Sequence, residues 1–166
     1  MVTSDFQIMV GIGEIVTKQS PYVLSTVLGS CIAICLYDPI LRVGSLGHAL
    51  LPTLSKASRL GKLKPERYVD NMVNIQLHQL RMLSSKKENL VAKLAGGANM
   101  FNMVYPDSQD LVGKKNVQRA MEVLKEHKIP ILGMEVEKNI GRKVFFDLET
   151  GNLKVYLAGG KLIRDM

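Results

Sequence analysis

The sequence contains no tryptophan, only four phenylalanines and five tyrosines. Its core must therefore be aliphatic, helped by nine methionines, whose flexible side chains fill irregular gaps. No segment interleaves basic residues with stacking aromatics, which argues against nucleic acid as a ligand. No run approaches the ~20 apolar residues of a membrane-spanning helix, so membrane insertion is not expected. The opening MVTSDFQIMV lacks the basic start and long apolar stretch of a signal peptide, and the chain reads as cytoplasmic. Two cysteines are too few for a disulfide framework and accord with a reducing compartment. The three histidines, His48, His78 and His127, are scattered, with no metal-ligand spacing. No metal and no cofactor is expected. Repeats and low-complexity tracts are absent.

The 166 residues suit a single domain spanning 1–166, large enough to enclose a hydrophobic core without staples. The net charge is +7, from 22 Lys and Arg against 15 Asp and Glu. Such a balance steers a protein toward acidic partners. It concentrates in the irregular stretch 52–65, where Lys56, Arg59, Lys62 and Lys64 lie among Pro52, Gly61 and Pro65. That stretch reads as a basic loop that either binds a partner or is simply mobile.

Short strands are expected over 6–12 and 22–28. The run from Cys31 to Tyr37 is apolar throughout and reads as a central strand buried on both faces. Asp38-Pro39 marks a turn, and 43–51 reads as the return strand, weakened locally by Gly44 and Gly47. Residues 66–83 read as a helix with Val69, Met72, Val73, Leu80 and Leu83 on one face, and 113–127 as another with Val117, Ala120, Met121 and Leu124. Further strands are expected at 90–95, 131–136, 143–148 and 153–157, the last two joined through Thr150-Gly151-Asn152. This order predicts an α/β layered sandwich with a mixed β-sheet and two main helices.

Cys31 and His48 are the candidates for a catalytic pair. A reactive cysteine needs a nearby base, because the thiolate is the nucleophile. If the hairpin between 31–37 and 43–51 turns on Pro39-Ile40, Asp38 faces Leu41 and Cys31 falls opposite His48. Directly opposed side chains have Cβ atoms about 4.5–5.5 Å apart. A slip of one residue would separate the two onto opposite faces. Gly29-Ser30 interrupts the apolar pattern just before Cys31. A glycine there permits a sharp turn and close approach of a substrate, with backbone N–H groups free to form an oxyanion hole. Against this stands the plain alternative that Cys31 is a small buried hydrophobe. Cys35 reads as core. Four strand residues span about 13 Å, too far for a disulfide between the two cysteines, which needs Cα atoms within about 7 Å.

Six motifs in order, Gly11-Ile-Gly-Glu14, Leu28-Gly-Ser-Cys31, Gly47-His48-Ala-Leu-Leu-Pro52, Lys93-Leu-Ala-Gly-Gly-Ala98, Gly113-Lys-Lys-Asn-Val117 and Gly141-Arg-Lys-Val144, resemble the pattern of the CheD family. The resemblance runs from about residue 8 to 157 and implies a protein-glutamine deamidase of chemotaxis. Such an enzyme converts glutamines on the cytoplasmic helices of methyl-accepting chemoreceptors to glutamate. It further implies a sandwich like that of bacterial toxin deamidases, Cys31 as nucleophile, His48 as base, and a hydroxyl residue six positions before the cysteine. That position is Ser25, with Thr26 beside it as the alternative. A CheC-type CheY-phosphate phosphatase is implied as a second partner. Where many members have Gly-Gly, this chain has Glu137-Lys138. Rival readings are a regulatory module that binds a CheC-type phosphatase with little catalysis, a different cysteine hydrolase, and a structural domain with an inert thiol.

Overall fold

The structure, a computed structural model, describes residues 4–54, 64–100 and 111–166. Its strands are β1 (Gln7–Met9), β2 (Ile15–Gln19), β3 (Val23–Leu28), β4 (Ile32–Asp38), β5 (Val43–Ala49), β6 (Val91–Gly96), β7 (Ile131–Val136), β8 (Arg142–Asp147), β9 (Leu153–Leu157) and β10 (Leu162–Asp165). Among the described residues two α-helices, α1 (Val69–Met82) and α2 (Val112–Glu126), interrupt them.

Every residue of β4 is buried, because the strand has a hydrophobic neighbour on each face. Ile32, Ile34 and Leu36 point into a core shared with Val69, Met72, Val73 and Leu80 of α1 and Val117, Ala120, Val123 and Leu124 of α2. Ala33, Cys35 and Tyr37 point the other way, onto Leu24 and Leu28 of β3 and Val144 and Phe146 of β8. The layers are thus helices, sheet and sheet. The expected sandwich is present, but with two mixed sheets rather than one. β4 lies in a sheet ordered β2-β5-β4-β6-β7, and the second is ordered β1-β3-β8-β9-β10. With β5 and β6 on both edges of β4, β8 pairs antiparallel with β3 instead, and β9 and β10 extend that sheet. Each sheet holds one parallel pair, β1 with β3 and β6 with β7.

The hairpin register differs from expectation. Asp38 pairs with Val43, and Ala33 with His48. The turn therefore holds four residues, Pro39 to Arg42, instead of two. Asp38 fixes it by accepting hydrogen bonds from the N–H groups of Ile40 (2.9 Å) and Leu41 (3.2 Å), and Arg42 closes it at φ 50°. The slip is of two residues, so every side chain keeps its face. Gly44 and Gly47 do not break β5, which is continuous and buried from Val43 to Ala49. A Cβ at Gly44 would meet Leu148 at 2.5 Å and one at Gly47 would meet Met72 at 2.5 Å. Each glycine lets the layer on its side approach.

On α1, Leu83 is exposed at the helix end and Gln76 is buried instead. On α2, Val123 rather than Met121 completes the buried stripe. Lys56, Arg59 and Lys62 lie outside the described residues, and Lys64 is exposed. No helix among the described residues is long and apolar enough to cross a membrane.

The β7–β8 turn accounts for the Glu137-Lys138 departure. Both residues adopt φ 61°, the left-handed region that glycine enters at no steric cost. The turn is held by Glu137 N–H on the Gly96 carbonyl (2.8 Å) and Asn99 N–H on the Lys138 carbonyl (2.7 Å). The buried Arg142 guanidinium adds a donor to the Glu137 carbonyl at 2.9 Å. Glu137→Gly is predicted to stabilise the protein by about 0.5–1 kcal/mol, the left-handed penalty relieved less the unfolded-state entropy of glycine. Chemical denaturation checks this, and a lowered midpoint would count against a strained turn.

Candidate active site

His48 sits near the end of β5 with its imidazole directed between the two sheets, where only 2% of the residue is exposed. Its backbone is clamped by the loop before β2. Gly13 N–H donates to the His48 carbonyl (2.8 Å) and His48 N–H donates to the Glu14 carbonyl (3.1 Å). The Gly11–Glu14 motif thus forms a brace for His48, closed by the Glu14 carboxylate on Gly11 N–H at 2.7 Å.

Across the gap stands β3. Its alternation sends Leu24, Thr26 and Leu28 inward, while Val27 is exposed on the outer face. Thr26 Oγ1 lies 2.8 Å from His48 Nδ1 and donates to the Val10 carbonyl at 2.6 Å. Ser25 points away, toward the Ile8 carbonyl and Gln7 at 3.4 Å. Of the two hydroxyls expected near His48, the structure brings Thr26 there and not Ser25.

The pair of bonds sets the imidazole tautomer. A hydroxyl has one hydrogen, and a carbonyl can only accept. Thr26 spends its hydrogen on Val10, so it accepts from His48, which must carry a proton on Nδ1. In the neutral ring Nε2 is then an unprotonated base. Nε2 is buried and has no partner among the described residues.

Cys31 lies one residue before β4, on the face that carries Ala33 and Cys35. It does not sit directly opposite His48, whose partner is Ala33. Thiol and imidazole are diagonal neighbours across the hairpin, positions about 7–8 Å apart between backbones and less between side chains. Cys31 keeps 7% of its surface exposed, whereas Cys35 has 1%. Both are free thiols.

The loop 29–31 is tied by all three of its carbonyls. Gly29 accepts from Ala98 N–H (2.9 Å) and Cys31 from Gly97 N–H (2.8 Å). Ser30 accepts from Asn116 Nδ2 (3.1 Å), which also donates to the Leu50 carbonyl (3.0 Å). Among the described residues, neither Ser30 nor Cys31 gives its own N–H to another backbone carbonyl. Close approach of three backbones makes this possible. A Cβ on Gly96 (φ 107°) would lie 2.3 Å from the Cys31 carbonyl oxygen, and one on Gly113 would lie 2.6 Å from that of Gly97. The Gly96-Gly97 and Gly113–Asn116 motifs are therefore parts of the same site. Their roles went unassigned from sequence, although glycines at a strand end and a helix start were the available signal.

Burial raises the Cys31 thiol above its ordinary range, offset in part by its own backbone N–H. Burial likewise lowers His48, against the opposing pull of the Val10 carbonyl and the Glu14 charge. Both shifts favour neutral forms, so the pair rests as thiol and imidazole. Cys35 is raised much further by burial and is inert. His78 is exposed on α1, and His127 caps α2 with Nε2 3.1 Å from Asn74. Neither joins the site. A cavity of about 620 Å³ is lined by His78, Arg81, Ser84, Lys86 and Lys87, and by none of Cys31, His48 and Thr26.

Residues 50–156 match the family described as CheD chemotactic sensory transduction. A Desulfitobacterium hafniense protein named probable chemoreceptor glutamine deamidase CheD is 37% identical over 89% of this chain and 91% of its own. A Thermotoga maritima protein named chemoreceptor glutamine deamidase CheD is 37% identical over 92% of both chains. A distant structural likeness, to a hypothetical Bacillus licheniformis protein, covers 76% of this chain and 51% of the other at 13% identity and a TM-score of 0.47.

With a neutral resting pair, alkylation of the folded protein by iodoacetamide should modify Cys31 alone, at a rate still climbing as pH passes 9.0. A rate that levels off near pH 7 would mean a resting thiolate and contradict this electrostatic state.

Proposed function

The chain belongs to the CheD family, and we propose that it deamidates glutamine side chains of chemoreceptors, with Cys31 as nucleophile and His48 as base. The observation that carries this reading is the Thr26–His48 hydrogen bond. It leaves Nε2 basic and unpartnered on the face that holds a partly exposed thiol. The names of the relatives supply the substrate class.

His48 Nε2 takes the thiol proton as Sγ attacks the carboxamide carbon of a glutamine. The resulting oxyanion is met by the Ser30 and Cys31 N–H groups, since the carbonyls of loop 29–31 are engaged elsewhere. Nε2–H then protonates the leaving nitrogen, which departs as ammonia and leaves a thioester. The same nitrogen next removes a proton from water. Hydroxide adds to the thioester, the thiolate departs and regains a proton, and glutamate remains. Thr26 holds the ring throughout and bears the Nδ1 proton's hydrogen bond when His48 is positively charged. Cys31 keeps 7% of its surface exposed, which suits attack on a single side chain presented by a folded partner. A sandwich related to that of toxin deamidases, and a CheC-type phosphatase as a second partner, belong to the same proposal.

Incubation with a receptor cytoplasmic fragment should convert particular glutamines to glutamate, read by mass spectrometry. Cys31→Ala should abolish the conversion and His48→Ala should slow it by roughly 10²–10⁴-fold. Conversion by Cys31→Ala would remove Cys31 from the mechanism. The base must be neutral, and its folded pKa lies below 6.5. Activity should therefore persist as pH falls through 6.5 and decline only below it, while a midpoint above 6.5 would contradict a burial-lowered His48.

A further inference from the structure

We infer that Asn116 is a positioning residue of this reaction, aiming the Cys31 N–H at the oxyanion by holding the other end of the same peptide group. The inference rests on the reading of Cys31 as nucleophile.

The Ser30–Cys31 peptide is not among the cis bonds of the described residues. In a trans peptide the carbonyl and the N–H are coplanar and point in opposite directions. Whatever fixes the Ser30 carbonyl therefore fixes the Cys31 N–H. The Ser30 carbonyl has one described partner, Asn116 Nδ2 at 3.1 Å. The second hydrogen of the same amino group goes to the Leu50 carbonyl at 3.0 Å. Leu50 follows Ala49, which pairs with Ile32, so the amide bridges the loop before the nucleophile and the segment after the base. One side chain thereby couples the Cys31 N–H to the chain that carries His48. The Cys31 N–H also lies close enough to its own sulfur to favour the thiolate, which places it on the thiol side of the peptide.

Asn116 gains little stability by this. It is fully buried on α2, and its Oδ1 has no partner among the described residues. A buried carbonyl oxygen without a partner is a cost. An aspartate has the same size, but its carboxylate only accepts and would face two carbonyl oxygens. Donor geometry, not volume, is what the position requires.

Deamidation and alkylation separate the two roles, because alkylation by iodoacetamide forms no oxyanion. Asn116→Ala should lower kcat for receptor-fragment deamidation on the order of 10²-fold, the usual loss for one oxyanion donor. KM and the rate of Cys31 alkylation should change little. A folded Asn116→Ala protein with undiminished kcat would overturn the inference. So would equal losses of alkylation and deamidation, which would make Asn116 merely structural. If Asn116→Ala does not fold, Asn116→Asp is assayed at neutral pH with the same expectation, and full kcat there is equally fatal. A Cys31→Ala control run alongside distinguishes the two levels. Activity in that control removes the nucleophile assignment and this inference with it. A dead control beside a fully active Asn116 variant removes this inference alone.

Discussion

A single hydrogen bond across the gap between the sheets, from His48 Nδ1 to Thr26 Oγ1 at 2.8 Å, governs what the site can do. Its direction is decided one bond further on, where the Thr26 hydroxyl is committed to the Val10 carbonyl. Three segments remote in sequence thus determine which imidazole nitrogen is basic. Much of the fold serves that bond. β3 must face β5 at this level, the loop 10–14 must bring its carbonyl to Thr26, and the sheets must exclude water that would compete for Nδ1. A buried polar chain of this kind has fixed roles only when each member has one partner left to choose.

The loop that carries Cys31 is organised by a second device, which depends on small residues. Loop 29–31 lies against Gly96-Gly97, which lies against Gly113 at the start of α2. The carbonyls of the loop turn into this stack, while among the described residues the Ser30 and Cys31 N–H groups donate to no other backbone carbonyl. In the proposed deamidation, donors held in this way need no rearrangement as charge develops on the substrate. Burial also keeps thiol and imidazole neutral at rest. In the proposed reaction, charge then develops only as the proton moves between them.

The sequence made some of this legible and hid the rest for physical reasons. An apolar run without polar alternation identified β4 as a doubly buried strand, and helical spacing located α1 and α2. The face shared by Cys31 and His48 was also readable, because strand periodicity survives a slip of two residues. The pairing was not, since Asp38 nucleates a four-residue turn where Pro39 suggested two. Ser25 and Thr26 are adjacent hydroxyls on opposite faces of one strand. Only the register of β3 against β1 and β8 decides between them. β2 and β10 are edge strands with exposed ends, too weakly patterned to stand out. Asn116 lay inside a recognised motif, yet its role is written in a tertiary contact across 86 positions.

The imidazole itself offers the most direct measurement. Nitrogen NMR of the protein labelled at histidine distinguishes the two neutral tautomers from the cation. At neutral pH His48 should be neutral with its proton on Nδ1, and it should titrate below 6.5. A proton on Nε2, or an imidazolium at neutral pH, would mean that Thr26 does not prepare a base for Cys31.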